Sequence, residues 1–308
     1  KSIIKEFKPD IVHTHASKAG ALGRKAAISC KVPVIVHTFH GHVFHSYFGK
    51  AKTYLFKQIE RYLAKKSSGI VAISDIQKKE LSEIHKIAPA EKIKVIPLGF
   101  DLEQFQESYE EKRQITRKQY HIDNETIAIA IVGRITAIKD HHFFIDVIED
   151  LHELVTKSIK IFIVGDGDLK KEIEQRILPL QNKGIDITLT SWIHDIALFN
   201  AGMDIMCLTS KNEGTPVSLI EAQASNLPVI STDVGGVPDI VEQNETGFII
   251  PRSNKREFVS KLQELVENDE IREKMKTKGW QNVHQKYGYK RLARDMEAYY
   301  HRLLEIEK

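Results

Sequence analysis

The chain has 308 residues, of which 42% are hydrophobic and 28% charged, and its formal net charge is +3. The length predicts two domains, the composition is typical of a globular protein, and the small charge gives no indication of a nucleic-acid partner. Only two cysteines are present, Cys30 and Cys207, which argues against a disulfide framework and favours a reducing cytoplasm. No apolar run approaches the ~20 residues needed to span a bilayer.

Short apolar segments rich in β-branched residues alternate with amphipathic segments along the chain. In the first half, strands are predicted at 11–14, 34–38, 69–73 and 93–97, and helices at 19–29 and 53–65. A charge-dense segment, 101–125, follows as a linker with a short helix. In the second half, strands are predicted at 127–132, 159–164, 185–189, 204–208 and 228–231, and helices at 140–154, 169–178, 217–224 and 255–268. This alternation predicts two doubly wound α/β domains with parallel sheets and with ligands at the carboxyl ends of the strands.

The most informative motif is Glu213-Gly-Thr-Pro-Val-Ser-Leu-Ile-Glu221, between a predicted strand and a helix. Pro216 suits the first turn of that helix, so Glu213 is expected in the loop, beside free backbone N–H groups. Glu221 then lies inside the helix, near the same end. A positive helix end flanked by two carboxylates suits a ligand with both phosphate and hydroxyl groups, such as a nucleotide sugar.

Two further loops follow predicted strands. Arg134 and Lys139 are spaced to clamp a diphosphate, although a solvated basic loop is the simpler alternative. The glycine pair at 235 and 236 allows either a close approach of backbone to a phosphate or sugar, or a simple turn.

The motif Gly165-Asp-Gly-Asp168 is compatible with a metal site, but a turn with Asp168 as the N-cap of the next helix is favoured.

Histidines are concentrated in the first half, where His13 and His15 lie on one face of a strand and are followed by His37, His40, His42 and His45. No acidic residue or cysteine accompanies them at ligand spacing, so they are interpreted as hydrogen-bonding groups that line a polar cleft rather than as metal ligands. Of these histidines, His40 is the best placed to protrude at the end of its strand. The helix after them, at 53–66, is amphipathic and basic, and it fits either a core-packed helix or a membrane surface.

With these motifs in order, the chain resembles the retaining glycosyltransferase family 4, whose fold is GT-B. The resemblance covers essentially the whole chain and is carried by Asp10-Ile-Val-His-Thr-His15, Thr38-Phe-His40-Gly, Val71-Ala-Ile-Ser74, Val95-Ile-Pro-Leu-Gly99, Val132-Gly-Arg-Ile-Thr-Ala-Ile-Lys139, Val164-Gly-Asp-Gly, Thr190-Ser-Trp192, Thr209-Ser-Lys-Asn-Glu213-Gly, Leu219-Ile-Glu-Ala222, Pro228-Val-Ile-Ser-Thr-Asp-Val-Gly-Gly236 and Gly247-Phe-Ile-Ile-Pro251.

The resemblance implies two Rossmann-like domains that face a central cleft. Residues 1–105 would form the acceptor-side domain, residues 106–287 the donor domain, and 288–308 a C-terminal helix packed back toward the first domain. Because members of the family begin with a strand and a glycine-rich loop that have no counterpart before Lys1, the first domain is expected to be incomplete at its N-terminus.

The resemblance also implies roles for single residues. Arg134 and Lys139, with Gly133, would bind the donor diphosphate and offset the charge of the leaving group without a metal ion. Glu221 would bind the ribose hydroxyls. The remaining assignments place Glu213, Gly214, Thr215 and Pro216 around the donor sugar, Trp192 and Ile193 around the base, His40 near the reacting sugar, and His13 and His15 on the acceptor side.

The implied function is retaining transfer of a sugar from a nucleoside diphosphate donor, expected to be a UDP-sugar, to a glycan or polyprenyl-linked acceptor in surface polysaccharide biosynthesis. No further cofactor, metal or nucleic acid is expected, and the location is cytoplasmic, with peripheral contact at the inner face of the membrane. The alternatives are a nucleotide-sugar epimerase of the same fold and a non-catalytic protein that binds sugar nucleotides.

Overall fold

The computed structural model describes residues 1–40 and 50–306 of the chain. Contacts divide it into two compact units, Lys1–Phe100 with Tyr289–Lys308, and Asp101–Gly288. No helix in the described ranges is long and apolar enough to cross a lipid bilayer.

The first unit contains a four-stranded parallel sheet in the order β1-β2-β3-β4. Its strands are β1 Ile11–His15, β2 Val34–Phe39, β3 Gly69–Ala72 and β4 Ile93–Val95. Its helices are α1 Ser2–Phe7, α2 Ser17–Ser29, α3 Lys50–Lys66, α4 Asp75–Lys79 and the C-terminal helix Tyr289–Ile306, with shorter turns at Glu80–Ile84 and Ala90–Lys92. Every residue of β2 is buried, as expected for a strand covered on both faces.

Helices cover both faces of this sheet. On one face, Ala64 of α3 packs with Phe39 and Ile70. On the other face, Tyr299 and Leu303 of the C-terminal helix pack with apolar residues of β2 and β3. The last helix of the chain is therefore part of the core of the first unit.

The second unit contains a six-stranded sheet in the order β10-β9-β8-β5-β6-β7, and all of its strand pairs are parallel. Its strands are β5 Ile127–Val132, β6 Ile159–Val164, β7 Asp186–Thr190, β8 Ile205–Leu208, β9 Val229–Thr232 and β10 Gly247–Ile250. Its helices are α5 Tyr109–Gln119, α6 His141–His152, α7 Lys170–Asn182, α8 Ile196–Ala201, α9 Val217–Ala224, α10 Val237–Ile240, α11 Lys255–Glu267 and α12 Asp269–Tyr287. The short turn Glu103–Phe105 precedes them.

The order of these strands creates a topological switch point between β5 and β8. From β5 the chain adds β6 and β7 on one side, and then returns to add β8, β9 and β10 on the other side. The loops that follow β5 and β8 leave the sheet next to each other, and ligands of open α/β sheets bind at such a crevice. The fold therefore brings together the two most informative loops of the sequence.

The segment predicted as a linker, 101–125, is a packed part of the second unit. Arg113 and Arg117 of α5 form ion pairs of 2.7 and 3.0 Å with Asp204, a buried residue directly before β8. Asp204 also accepts the backbone N–H of Ala128 at 2.8 Å. The short helix predicted in this segment is present as α5, but the linker interpretation was wrong, because two arginines of that helix pair with a buried carboxylate of the second unit.

Candidate active site

The centre of the site is an ion pair between the loops after β5 and β8. Lys139 Nζ donates to Glu213 Oε1 at 2.6 Å, and Ser210 Oγ donates to the same oxygen at 2.5 Å. The Glu213 side chain is only 10% exposed and that of Lys139 is 22% exposed, so the pair is partly withdrawn from water. Such a pair interacts more strongly than an exposed one.

Hydrogen bonds from a threonine hydroxyl and from the backbone hold the two loops against each other. Thr209 Oγ1 donates to the carbonyl groups of Lys139 and Asp140, each at 3.1 Å, and Lys211 N donates to Ile138 O at 2.8 Å. The stem of Lys139 passes Gly133, where an added Cβ would lie 3.5 Å from Lys139 Cε. The position of the Lys139 ammonium group is therefore set by the loop on which Glu213 lies.

Arg134, the other predicted cation, lies in the same loop as Lys139 but is exposed. Within residues 1–40 and 50–306 its side chain has no hydrogen-bond or ion-pair partner. Its guanidinium group is available to a ligand at the mouth of the crevice.

The glycine pair at 235 and 236 packs against the backbone of the Glu213 loop. Gly235 has φ +50°, and a Cβ there would lie 1.8 Å from Glu213 O. A Cβ on Gly236 would lie 1.9 Å from Gly214 O, and Gly236 N donates to Glu213 O at 3.3 Å. The sequence predicted either a close approach of this backbone to a phosphate or sugar or a simple turn. In the structure, the glycine pair closely approaches the backbone of Glu213 and Gly214.

The two glutamates of the opening motif have different surroundings. Helix α9 begins at Val217 after Pro216, and no side chain of the described residues caps its N-terminus. Thr215 is half-buried and Gly214 is exposed with open space around its Cα, so the loop before the helix is accessible. Glu221 lies in the second turn, where burial raises its pKa from 4.5 to about 7.

The raised pKa of Glu221 predicts a pH-dependent stability. In the unfolded chain the carboxyl group ionises near its ordinary pKa of 4.5, whereas in the folded protein it keeps its proton up to about 7. The folded state therefore binds more protons in this window, and its free energy of unfolding falls as the pH rises through it, by roughly 3 kcal/mol in total. We expect Glu221→Gln to raise Tm at pH 8 and to change it little at pH 4.5.

Differential scanning calorimetry at both pH values checks this expectation, with Glu174→Gln on the exposed face of α7 as the control. An equal shift of Tm by Glu221→Gln at both pH values would contradict it.

The loop after β6 forms the predicted turn with a different aspartate. Gly165 and Gly167 have φ values of +145° and +159°, and Asp166 accepts Gly167 N at 2.7 Å, Lys170 Nζ at 3.2 Å and Ser191 Oγ at 3.1 Å. The predicted N-cap role of Asp168 was wrong, because α7 begins at Lys170 with Leu169 at the N-cap position. In the described part of the chain, no group of three or more His, Cys, Asp or Glu side chains could hold a metal ion.

The two residues assigned to the base follow β7. Trp192 is 53% exposed and Ile193 is half-buried. The hydrogen bond from Ser191 to Asp166 joins this loop to the turn after β6. The sheet edge thus presents the loops after β5, β6, β7, β8 and β9 together.

The first unit brings three of the predicted histidines together. His15 Nδ1 and His40 Nε2 share a hydrogen bond of 2.9 Å, and the ring centroids of His13 and His15 lie 4.3 Å apart. His13 is bonded on both ring nitrogens, to Tyr300 Oη at 2.6 Å and to Thr38 Oγ1 at 2.7 Å. His42 and His45 lie outside the described residues.

Burial lowers the pKa of several of the histidines on and after β1 and β2. Burial, followed by the neighbouring His15 and His40, lowers the pKa of His13 to about 4. Burial and His15 also lower the pKa of His40. His37 is buried and bonded to Thr14 Oγ1 at 2.9 Å, and burial followed by Arg24 lowers its pKa to about 3. His37 is therefore a buried, hydrogen-bonded residue of the core, whereas His40 is exposed directly after β2.

Sequence reasoning missed two residues at these sites. Ser210 lies three positions before Glu213, and nothing in the sequence indicates a contact between the two side chains. The structure shows that the buried Ser210 hydroxyl donates a hydrogen bond to the Glu213 carboxylate and orients it. Tyr300 lies 287 residues from His13, so no local pattern pairs them.

Comparisons with known proteins identify the class of protein. Residues 112–281 match the family model described as glycosyl transferases group 1, and residues 1–104 match that of glycosyltransferase family 4. The chain belongs to this family and is a glycosyltransferase with the GT-B fold.

Two relatives illustrate the similarity. The chain is 31% identical over 262 residues to the UDP-Gal:alpha-D-GlcNAc-diphosphoundecaprenol alpha-1,3-galactosyltransferase of Escherichia coli, in a match covering 84% of this chain and 67% of that protein. It is 27% identical over 311 residues to the capsular polysaccharide biosynthesis glycosyltransferase CapM of Staphylococcus aureus, in a match covering 97% of this chain and 78% of CapM. These names support the transferase and give no support to the epimerase.

Solved structures share the fold. Anabaena Alr3699/HepE in complex with UDP matches with a TM-score of 0.83 and 19% identity, over 96% of this chain and 80% of that one. A glycosyltransferase from Rickettsia africae matches with a TM-score of 0.82 and 22% identity, over 98% of this chain and 79% of that one.

Proposed function

We propose that this glycosyltransferase moves a hexose or N-acetylhexosamine from a UDP-sugar to a lipid-linked glycan acceptor, with retention of the anomeric configuration. The observation that carries the proposal is the Lys139–Glu213 pair at the switch point of the second unit, beside the uncapped N-terminus of α9. The name of the Escherichia coli relative, which contains both a UDP-sugar and a diphosphoundecaprenol acceptor, supports the choice of donor and acceptor.

In the proposed reaction, an acceptor hydroxyl oxygen forms a bond to the anomeric carbon while the bond from that carbon to the diphosphate breaks. The hydroxyl proton passes to the leaving diphosphate, and UDP departs. Arg134 and Lys139 offset the charge that grows on the diphosphate, because fixed cations in a partly dry site stabilise such charge without reorganisation. No metal ion is required for this step.

The carboxylates and the loop residues orient the donor. Glu213, fixed by Lys139 and Ser210 through Oε1, keeps Oε2 for a hydroxyl group of the sugar. Glu221 accepts the ribose hydroxyls, and the exposed face of Trp192 with Ile193 lies against the base. Gly133, Gly214 and Thr215 leave room for the diphosphate and the sugar, while Pro216 starts α9.

The first unit would supply the acceptor side. Burial and the neighbouring His15 lower the pKa of His40, which favours its uncharged form, and the ring can then donate or accept a hydrogen bond next to the reacting sugar. His13 supports this pair through the contact of its ring with that of His15, whose centroid lies 4.3 Å away. With a polyprenyl-linked acceptor, the reaction takes place at the cytoplasmic face of a membrane.

A thermal-shift comparison of nucleotides tests the donor. We expect UDP and UDP-sugars to raise Tm in a concentration-dependent manner, since a ligand that binds only the folded state stabilises it by mass action. At a hundredfold excess over Kd the gain is about 2.7 kcal/mol. A rise in Tm with GDP-sugars or ADP-sugars, and no rise in Tm with UDP-sugars, would refute the proposal that the donor nucleotide is uridine diphosphate.

The transfer itself is tested with a labelled UDP-sugar and polyprenyl diphosphate-linked acceptors. The expected product contains a new glycosidic bond with the anomeric configuration of the donor, as read by NMR. Release of free sugar alone would show hydrolysis in place of transfer, and binding of the donor without turnover would favour a binding protein; either result would overturn the proposal.

A further inference from the structure

Helices α2 and α3 form a surface of unusual composition on the first unit. They contain nine basic residues, three in α2 and six in α3, and one acidic residue, Glu60. The whole chain, by contrast, has 45 basic and 42 acidic side chains. The small positive charge of the protein is therefore concentrated on this pair of helices.

The single acidic residue is neutralised inside the structure. Glu60 Oε2 accepts from Arg24 Nη2 at 2.6 Å, and both side chains are buried. This ion pair joins α2 to α3 and leaves no acidic side chain on the outer face of either helix. The exposed cations on that face are Lys18, Lys25, Lys52, Lys65 and Lys66.

Large apolar side chains stand among these lysines. Lys52, Leu55, Ile59, Tyr62 and Lys66 recur at intervals of three and four residues, so they form one stripe along α3. Leu55 is 59% exposed and Tyr62 is 57% exposed.

The neighbouring helix α2 continues the stripe. Its Leu22 is 71% exposed, beside the exposed Lys18 and Lys25. A cavity of about 320 Å³ opens between the two helices, and its apolar walls are Ala21, Leu22, Phe56 and Ile59.

We propose that this α2–α3 surface docks on an anionic lipid bilayer. Basic side chains attract the negative surface of such a membrane, while leucine and tyrosine side chains enter its interface and the apolar cavity accommodates an acyl chain. A partner protein surface would have to match both the apolar stripe and the lysines at its two ends, whereas an anionic bilayer offers both features everywhere. The proposal deepens the proposed function and rests on it only for the lipid-linked acceptor.

Vesicle co-sedimentation tests the surface directly, with no donor or acceptor present. We expect the protein to bind vesicles of phosphatidylcholine with about 30 mol% phosphatidylglycerol and to bind pure phosphatidylcholine vesicles much more weakly. Raising NaCl to ~0.5 M should release most of the protein, since salt screens exposed charges.

Two pairs of substitutions separate the two contributions. Lys52→Gln with Lys66→Gln, and Leu55→Ser with Tyr62→Ser, are each expected to weaken vesicle binding about tenfold or more. Matched pairs in the second unit, Lys118→Gln with Lys171→Gln and Leu154→Ser with Leu178→Ser, should leave it unchanged. Tm values of all four variants identify any that fail to fold.

The outcomes distinguish this proposal from the proposed function. Transfer to a detergent-dispersed acceptor should be unchanged in the α3 variants, because none of these residues lies in the candidate active site. Two results would overturn the membrane proposal even if UDP-sugar transfer is observed. One is binding to neutral vesicles that is as strong as binding to anionic vesicles, and the other is vesicle binding that neither pair of substitutions in α3 weakens. If the unchanged protein does not bind vesicles but forms a dimer, and Leu55→Ser with Tyr62→Ser dissociates that dimer, the α2–α3 surface binds a second copy of the chain and the membrane proposal is overturned.

Discussion

Replacing Lys139 or Glu213 by alanine is expected to lower the rate of sugar transfer by about 10³-fold, because each change removes a fixed charge that acts where charge develops in the reaction. Lys139 and Glu213 are joined at 2.6 Å, so each substitution also releases the other side chain. The double variant should therefore lose little more activity than either single variant.

Steady-state kinetics with the donor and acceptor identified by the thermal-shift and transfer assays would measure this effect. Lys171→Ala, which removes an exposed lysine from α7, is the matched control and should retain full activity. A Tm close to that of the unchanged protein would show that the loss is chemical rather than structural. Unchanged transfer by Lys139→Ala and Glu213→Ala would remove the pair from the active site.

Gly235→Ala is expected to lower transfer by about a hundredfold and to destabilise the fold. A methyl group at Gly235 would lie 1.8 Å from Glu213 O, and the backbone there has φ +50°. The Glu213 backbone must therefore move, and displacements of about 1 Å at a reacting group can cost 10²-fold in rate. The strained backbone and the steric conflict together should cost about 2–4 kcal/mol of stability.

Gly214→Ala is the matched control for stability, because an added Cβ at that position meets no atom within 4 Å. We expect Gly235→Ala to lower Tm by several degrees and Gly214→Ala to leave it nearly unchanged. Equal Tm values for the two variants would mean that the glycine pair does not support the Glu213 loop.

Local patterns predicted most of the fold. The runs at 127–132 and 159–164 coincide with β5 and β6, since buried parallel strands are continuous apolar segments with sharp ends. Strand β10 was part of a recognised motif but was not predicted as a strand, because Gly247–Ile250 is only four residues long. The prediction that Asp168 is the N-cap of α7 was wrong, because Asp166 forms the turn instead and the helix begins later, at Lys170.

The sequence by itself determined the class of fold, the family and the residues that lie at the ends of the strands, because strand periodicity and the Glu213 and Arg134 motifs are local properties of the chain. Only the tertiary structure decided which of these residues meet. The pairing of Lys139 with Glu213 follows from the return of the chain to the other side of β5, and that of His13 with Tyr300 from the return of the C-terminal helix to the first unit. Contacts between residues 74 and 287 positions apart depend on topology, which no local pattern encodes.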